Sequence, residues 1–156
     1  MTSWAGTRRI AGVALFVALG IALALAVRTA QAAPQAPLSV FISAEHLDGI
    51  RPDGAPLKLR LNIEAHGNDA SFLAATGKAV GNPGAHVTWS MTGSMTDDGV
   101  VTLTGVVTEA NPPWLIGMTG VLVANAATGT ATITWTLASG LSGTASGEAK
   151  VTIRNS

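Results

Sequence analysis

The chain has 156 residues, with nine Lys and Arg, nine Asp and Glu, three His, and neither Cys nor Tyr. The lack of cysteine excludes disulfides, thiolate metal sites and cysteine nucleophiles. Arg8, Arg9 and Arg28 stand in the first 32 residues, so the rest carries six cations against nine carboxylates; a net charge of −3 without clustered Lys and Arg argues against nucleic acid and against anionic membrane surfaces.

Residues 1–32 have the layout of an export signal: Arg8-Arg9, an apolar run from Ile10 to Val27, then Ala30-Gln31-Ala32. The run of 18 residues would make about 27 Å of helix, enough to cross a hydrocarbon layer. A retained anchor over 10–27 is therefore the alternative to cleavage, and it is the only membrane contact this reading provides. Small residues before position 33 and Pro34 just after favour cleavage at Ala32. The arginine pair raises a twin-arginine address, which Ile10-Ala11-Gly12 match poorly. The expectation is an exported protein, periplasmic or extracellular, with an extended spacer at 33–37 and one β domain at 38–156.

Along that domain the apolar pattern has a period of two. Leu57, Leu59, Leu61, Ile63 and Ala65 alternate with Lys58, Arg60, Asn62 and Glu64, as in a half-buried strand. Val87, Trp89 and Met91 repeat the pattern, as do Ala131, Ile133, Trp135 and Leu137 against four threonines, and Ala149, Val151 and Ile153 at the end. Weaker strands are expected at Leu38–Ala44, Val100–Thr108 and Thr119–Ala124, where β-branched residues dominate. Turn signals stand at 52–54, 66–69, 82–84, 97–99 and 127–129; Ser71–Thr76 reads as one helical turn or a short strand. About seven short strands after a signal helix predict an all-β antiparallel β-sandwich, immunoglobulin-like or related. The longer connections at 45–56 and 66–85 leave room for crossovers. A small up-and-down β-barrel is the alternative, since both architectures share one burial rhythm.

Chemistry-bearing patterns are few. His46, His66 and His86 are the only imidazoles, and His46 and His66 fall in predicted turns beside Asp48 and Asp69. His86 and Met91 lie on opposite faces of one predicted strand, which argues against a copper site. No Gly-x-Ser-x-Gly elbow and no complete calcium loop occurs. The reading therefore assigns no catalytic residue, no metal ligand and no cofactor; an enzyme with a His/carboxylate site is the last alternative.

Ala110 to Gly147 holds no Asp, Glu, Lys, Arg or His, where a segment of that length ordinarily carries about nine charges. Exposed sheet edges are usually guarded by charge. Within this run lies Asn-Pro-Pro-Trp-Leu-Ile-Gly-Met-Thr-Gly, residues 111–120, an apolar turn. Either Trp114 and Ile116 drop into the core as a plug, or Trp114, Leu115 and Met118 stand out as an anchor. The candidate contact residues are Trp114, Leu115, Ile116 and Met118, with the outward row Thr130, Thr132, Thr134 and Thr136. The leading expectation is a non-catalytic protein contacting a protein partner or a second copy of itself through this uncharged sheet and loop. The alternative is a small barrel carrying an apolar ligand in a cavity lined by Trp89 and Trp135.

Overall fold

The computed structural model describes residues 37–82 and 84–156. The signal segment, the apolar run 10–27 and nearly all of the spacer lie outside the described residues. Nine strands follow in chain order: β1 (Leu38–Ile50), β2 (Pro56–Asp69), β3 (Phe72–Gly81), β4 (Ala85–Met95), β5 (Val100–Asn111), β6 (Thr119–Asn125), β7 (Thr130–Thr136), β8 (Ser142–Glu148) and β9 (Lys150–Asn155). A single 3-10 turn, Pro113–Leu115, joins β5 to β6. Each strand pairs antiparallel with the next from β1 through β8.

β1 closes the ring. One of its edges pairs with β2, and the other pairs with β9 over Leu38–Ser43 and with β8 over Asp48–Ile50. β8 and β9 are one stave interrupted at Ala149, whose N–H donates across to Gly129 at 2.8 Å. The register of β1 on β2 shifts between Ala44 and Leu47, leaving Glu45 and His46 as a bulge. The result is a closed, eight-staved, up-and-down barrel. The sandwich expectation is thereby corrected in favour of its barrel alternative. The assumed crossovers do not exist: residues 45–50 continue β1, and 66–85 contain the end of β2 and all of β3.

The connections sort into two ends. Residues 51–55, 82 and 84, 112–118 and 137–141 form one end, and 70–71, 96–99 and 126–129 the other. Each connection of the first set turns through a glycine at positive φ: Gly54, Gly84, Gly117 and Gly140, at 84–93°.

Leu47, Leu61, Leu73, Leu103, Leu122, Ile133 and Trp89 are fully buried inside. An eight-strand barrel is just wide enough for such side chains to fill, so large residues must face small ones. At Gly93 and Gly105 the wall bends so tightly that an added Cβ would collide with the neighbouring strand's backbone, at the carbonyls of Thr102 and Ser90 respectively. Overpacking of this kind costs about 1–3 kcal/mol or more. Gly105→Val is expected to lower stability by at least that amount in urea or thermal unfolding. Thr104→Val, one residue away on the outer face, is expected to stay within about 0.5 kcal/mol of the parent.

Candidate functional site

The end bearing 51–55, 82 and 84, 112–118 and 137–141 is not filled by its own walls. Ala79 and Gly81 on β3 and Ala85 on β4 face inward there and leave a cavity of about 330 Å³. At Gly81 an added Cβ would meet nothing nearer than Leu57 Cδ1, at 3.5 Å. The cavity floor is built from two indoles laid over glycines. The Trp89 ring covers Gly120, where a Cβ would lie 2.6 Å from the ring; the Trp135 ring likewise occupies the space above Gly143. Leu57, Leu59, Val87 and Ile133 complete the wall, with Asn82, Asn111 and Arg51 as polar groups. Trp89 is 1% exposed, and its Nε1–H is the one buried side-chain polar atom without a partner among the described residues.

The loop 111–120 sits across this opening. The Asn111–Pro112 bond is cis, and the 3-10 turn that follows is closed by Ile116 N–H donating to Pro113 O at 3.0 Å. Gly117 N–H donates to Val107 O, and Val107 N–H to Met118 O, both at 2.9 Å, which ties the loop back to β5. Leu115, 8% exposed, and Met118 point into the cavity mouth, whereas Trp114 at 67% and Ile116 point out. The plug expectation is thus corrected: the residues that drop inward are Leu115 and Met118. Leu115 ends the 3-10 turn, and the chain then passes through extended Ile116 and left-handed Gly117 before Met118 returns to the barrel.

Trp114 also lines an adjoining shallow groove with Arg51, Pro52, Asp53, Leu137 and Leu141. Arg51 and Asp53 pair at 2.9 Å. The row Thr130, Thr132, Thr134 and Thr136 lies on the outer face of β7, away from the cavity, and Thr134 hydrogen-bonds Thr144 on β8 at 3.1 Å.

The histidines do not meet at the cavity. His66 belongs to β2, not to a turn; its Nε2 lies 2.8 Å from Glu64 Oε1 and its Nδ1 3.0 Å from Ser39 Oγ. This serine–imidazole–carboxylate chain stands on the convex outer wall, half exposed. It is flanked by Phe41, over which Arg154 stacks at 5.2 Å from the ring centroid. β1 and β2, the strands that carry this chain of side chains, are each engaged in ladder pairing on both sides. Among the described residues, no three His, Asp or Glu side chains converge as metal ligands. Asp69, at the far end, has its carboxyl held below the usual range by the Ser71 hydroxyl and then the Ser71 backbone N–H; it organises the β2–β3 turn.

No family model and no curated protein matches the chain. A solved structure of similar shape is a redesigned β-barrel, mFAP1, bound to DFHBI; it shares 11% identity, covers 73% of this chain and 93% of that one, and has a TM-score of 0.44.

The divided loop makes a stability prediction. Leu115→Ala empties a buried position and is expected to cost about 2 kcal/mol, read by thermal or urea unfolding. Trp114→Ala removes an exposed side chain and is expected to change stability by no more than about 0.5 kcal/mol.

Proposed function

We propose that this chain is a non-catalytic, exported binder of a small apolar ligand, held in the open end of the barrel. The observation that carries the reading is a void of about 330 Å³, walled by aliphatic side chains and two indoles, in an interior that is otherwise packed. Its size falls at the lower end of ligand pockets, and apolar walls with a few polar groups are their usual chemistry. Asn82, Asn111 and Arg51 give a ligand's polar end something to face.

The interaction reading, in which a protein or a second copy covers the uncharged sheet, has less support. β5 through β7 are each paired on both sides, and β8 on one side and part of the other, so a charge-free, threonine-faced wall presents little edge that needs covering. The His66 chain favours no reaction, because it lacks a pocket to hold a substrate.

The test is titration of the protein with an apolar fluorophore small enough for the cavity, followed by probe emission and by tryptophan emission. The expected result is saturable one-to-one binding with a change in tryptophan emission. Gly81→Leu, which fills the void where the wall has room, is expected to weaken binding more than about tenfold, the loss of roughly 1.4 kcal/mol, while the protein still melts cooperatively. Equal binding by parent and Gly81→Leu would refute the assignment.

A further inference from the structure

Four large apolar side chains exposed at the cavity end, from three structural elements, form a rim around the opening. Ile50 at the end of β1 is 64% exposed, Trp114 and Ile116 in the 112–118 loop are 67% and 49%, and Leu141 before β8 is 55%. We infer that this rim is a membrane-loading surface that settles into the interface of a zwitterionic lipid bilayer and opens the cavity toward its apolar phase. The inference extends the carrier reading by naming where the ligand comes from.

Charge decides the partner. The four connections at this end hold only two ionised side chains, Arg51 and Asp53, and these neutralise each other at 2.9 Å. The opposite end presents Asp69, Asp97 and Asp98, which an anionic surface repels. Among the described residues, no cluster of Lys or Arg offers the attraction on which anionic-lipid recognition depends. A neutral, apolar rim on an otherwise acidic molecule therefore complements a zwitterionic surface and fixes the orientation. Tryptophan with an exposed, amphipathic ring is the side chain that favours the headgroup level.

Continuity supplies the second argument. Trp114 lines both the cavity and the groove it shares with Leu137 and Leu141, so an apolar track runs from the rim to the indole floor. A protein partner seated here would close that opening. A bilayer would feed it.

The chain contains no cysteine, which permits a position-resolved test in the full-length protein. Leu141→Cys and, at the opposite end, Asp97→Cys each carry a nitrobenzoxadiazole label, and phosphatidylcholine vesicles are added. The expected result is a blue shift and intensity gain at position 141 with none at 97, insensitive to salt. Ile50→Ser with Ile116→Ser, at two exposed rim residues outside the cavity lining, should reduce that response more than about tenfold while leaving binding of the soluble apolar probe intact. Gly81→Leu should do the reverse, losing probe but keeping the vesicle response. A silent label at 141, equal responses at both positions, or a response only to phosphatidylglycerol vesicles that salt abolishes would each overturn the inference. So would a vesicle-free signal at 141 that rises with protein concentration, which would assign the rim to a second copy. Loss of the vesicle response with probe binding retained would remove the loading surface alone; loss of probe binding with the vesicle response retained would remove the carrier reading alone.

Discussion

Both edges of β1 are hydrogen-bonded, one to β2 and the other to β8 and β9 in succession, and this double pairing governs the rest of the molecule. Once the sheet meets itself, β1 through β7 are hydrogen-bonded on both sides and β8 on one side and part of the other. Among the described residues β9, which pairs with β1 alone, is the strand whose outer edge has no ladder partner, and it carries Lys150 and Arg154. Elsewhere edge-guarding charges are unnecessary, because an open edge is the hazard they exist to prevent. The 38 residues from Ala110 to Gly147 without a charge are therefore an outcome of closure, and Thr130, Thr132, Thr134 and Thr136 satisfy water with hydroxyls alone. The bulge at Glu45 and His46 is part of the same device, since it lets one strand change partners from β9 to β8 along its length.

Closure also sets a fixed inner width, and a fixed width makes every large inward residue dependent on a small one nearby. Trp89 rests on Gly120, Trp135 on Gly143, and Met91 beside Gly105. The packing is thus written as pairs between strands: a glycine on one strand exists to admit an indole from another. Where small residues outnumber large ones, the pairing runs short. Ala79, Gly81 and Ala85 have no bulky counterpart in the end layer, and the shortfall is the cavity. The floor consists of rings laid against backbone at Gly120 and Gly143, whereas the mouth is formed by connections that turn through glycines.

Much of this was legible in the residues. The alternation in β2, β4, β7 and β9 was plain because Leu, Ile, Val or Trp mark the inward side and Lys, Glu or Thr the outward. Trp89 and Trp135 were the named cavity residues for a barrel, and both line the cavity. β3 was not legible, and its failure is instructive. Its inward positions are Leu73, Ala75, Gly77, Ala79 and Gly81, too small to signal burial by hydropathy, yet small because the facing strands bring large side chains. A period of two written in Gly and Ala is still a period of two, and it also marks where the void lies. Sandwich and barrel were inseparable because closure depends on a pairing between the first and last staves, about a hundred residues apart, that no local pattern encodes. His66 read as a turn residue through Gly67 and Asn68, but the barrel carries β2 on to Asp69.

The loop 111–120 joins these threads, because its side chains divide between two environments within five positions. Leu115 and Met118 face the cavity, and burying such side chains stabilises by about 1.5–3 kcal/mol each, so they hold the loop against the mouth. Trp114 and Ile116 face outward and forgo that gain in water. A segment this short cannot turn its outward residues in without turning its inward residues out, since the 3-10 turn and the two hydrogen bonds to Val107 fix its rotation. Its resting state in water is therefore the one that buries the aliphatic pair and leaves the indole exposed. On the membrane-loading inference, an apolar phase at the mouth would solvate Trp114 and Ile116 where they stand and leave Leu115 and Met118 buried below them, so the exposure that costs in water becomes a gain without any rearrangement of the loop.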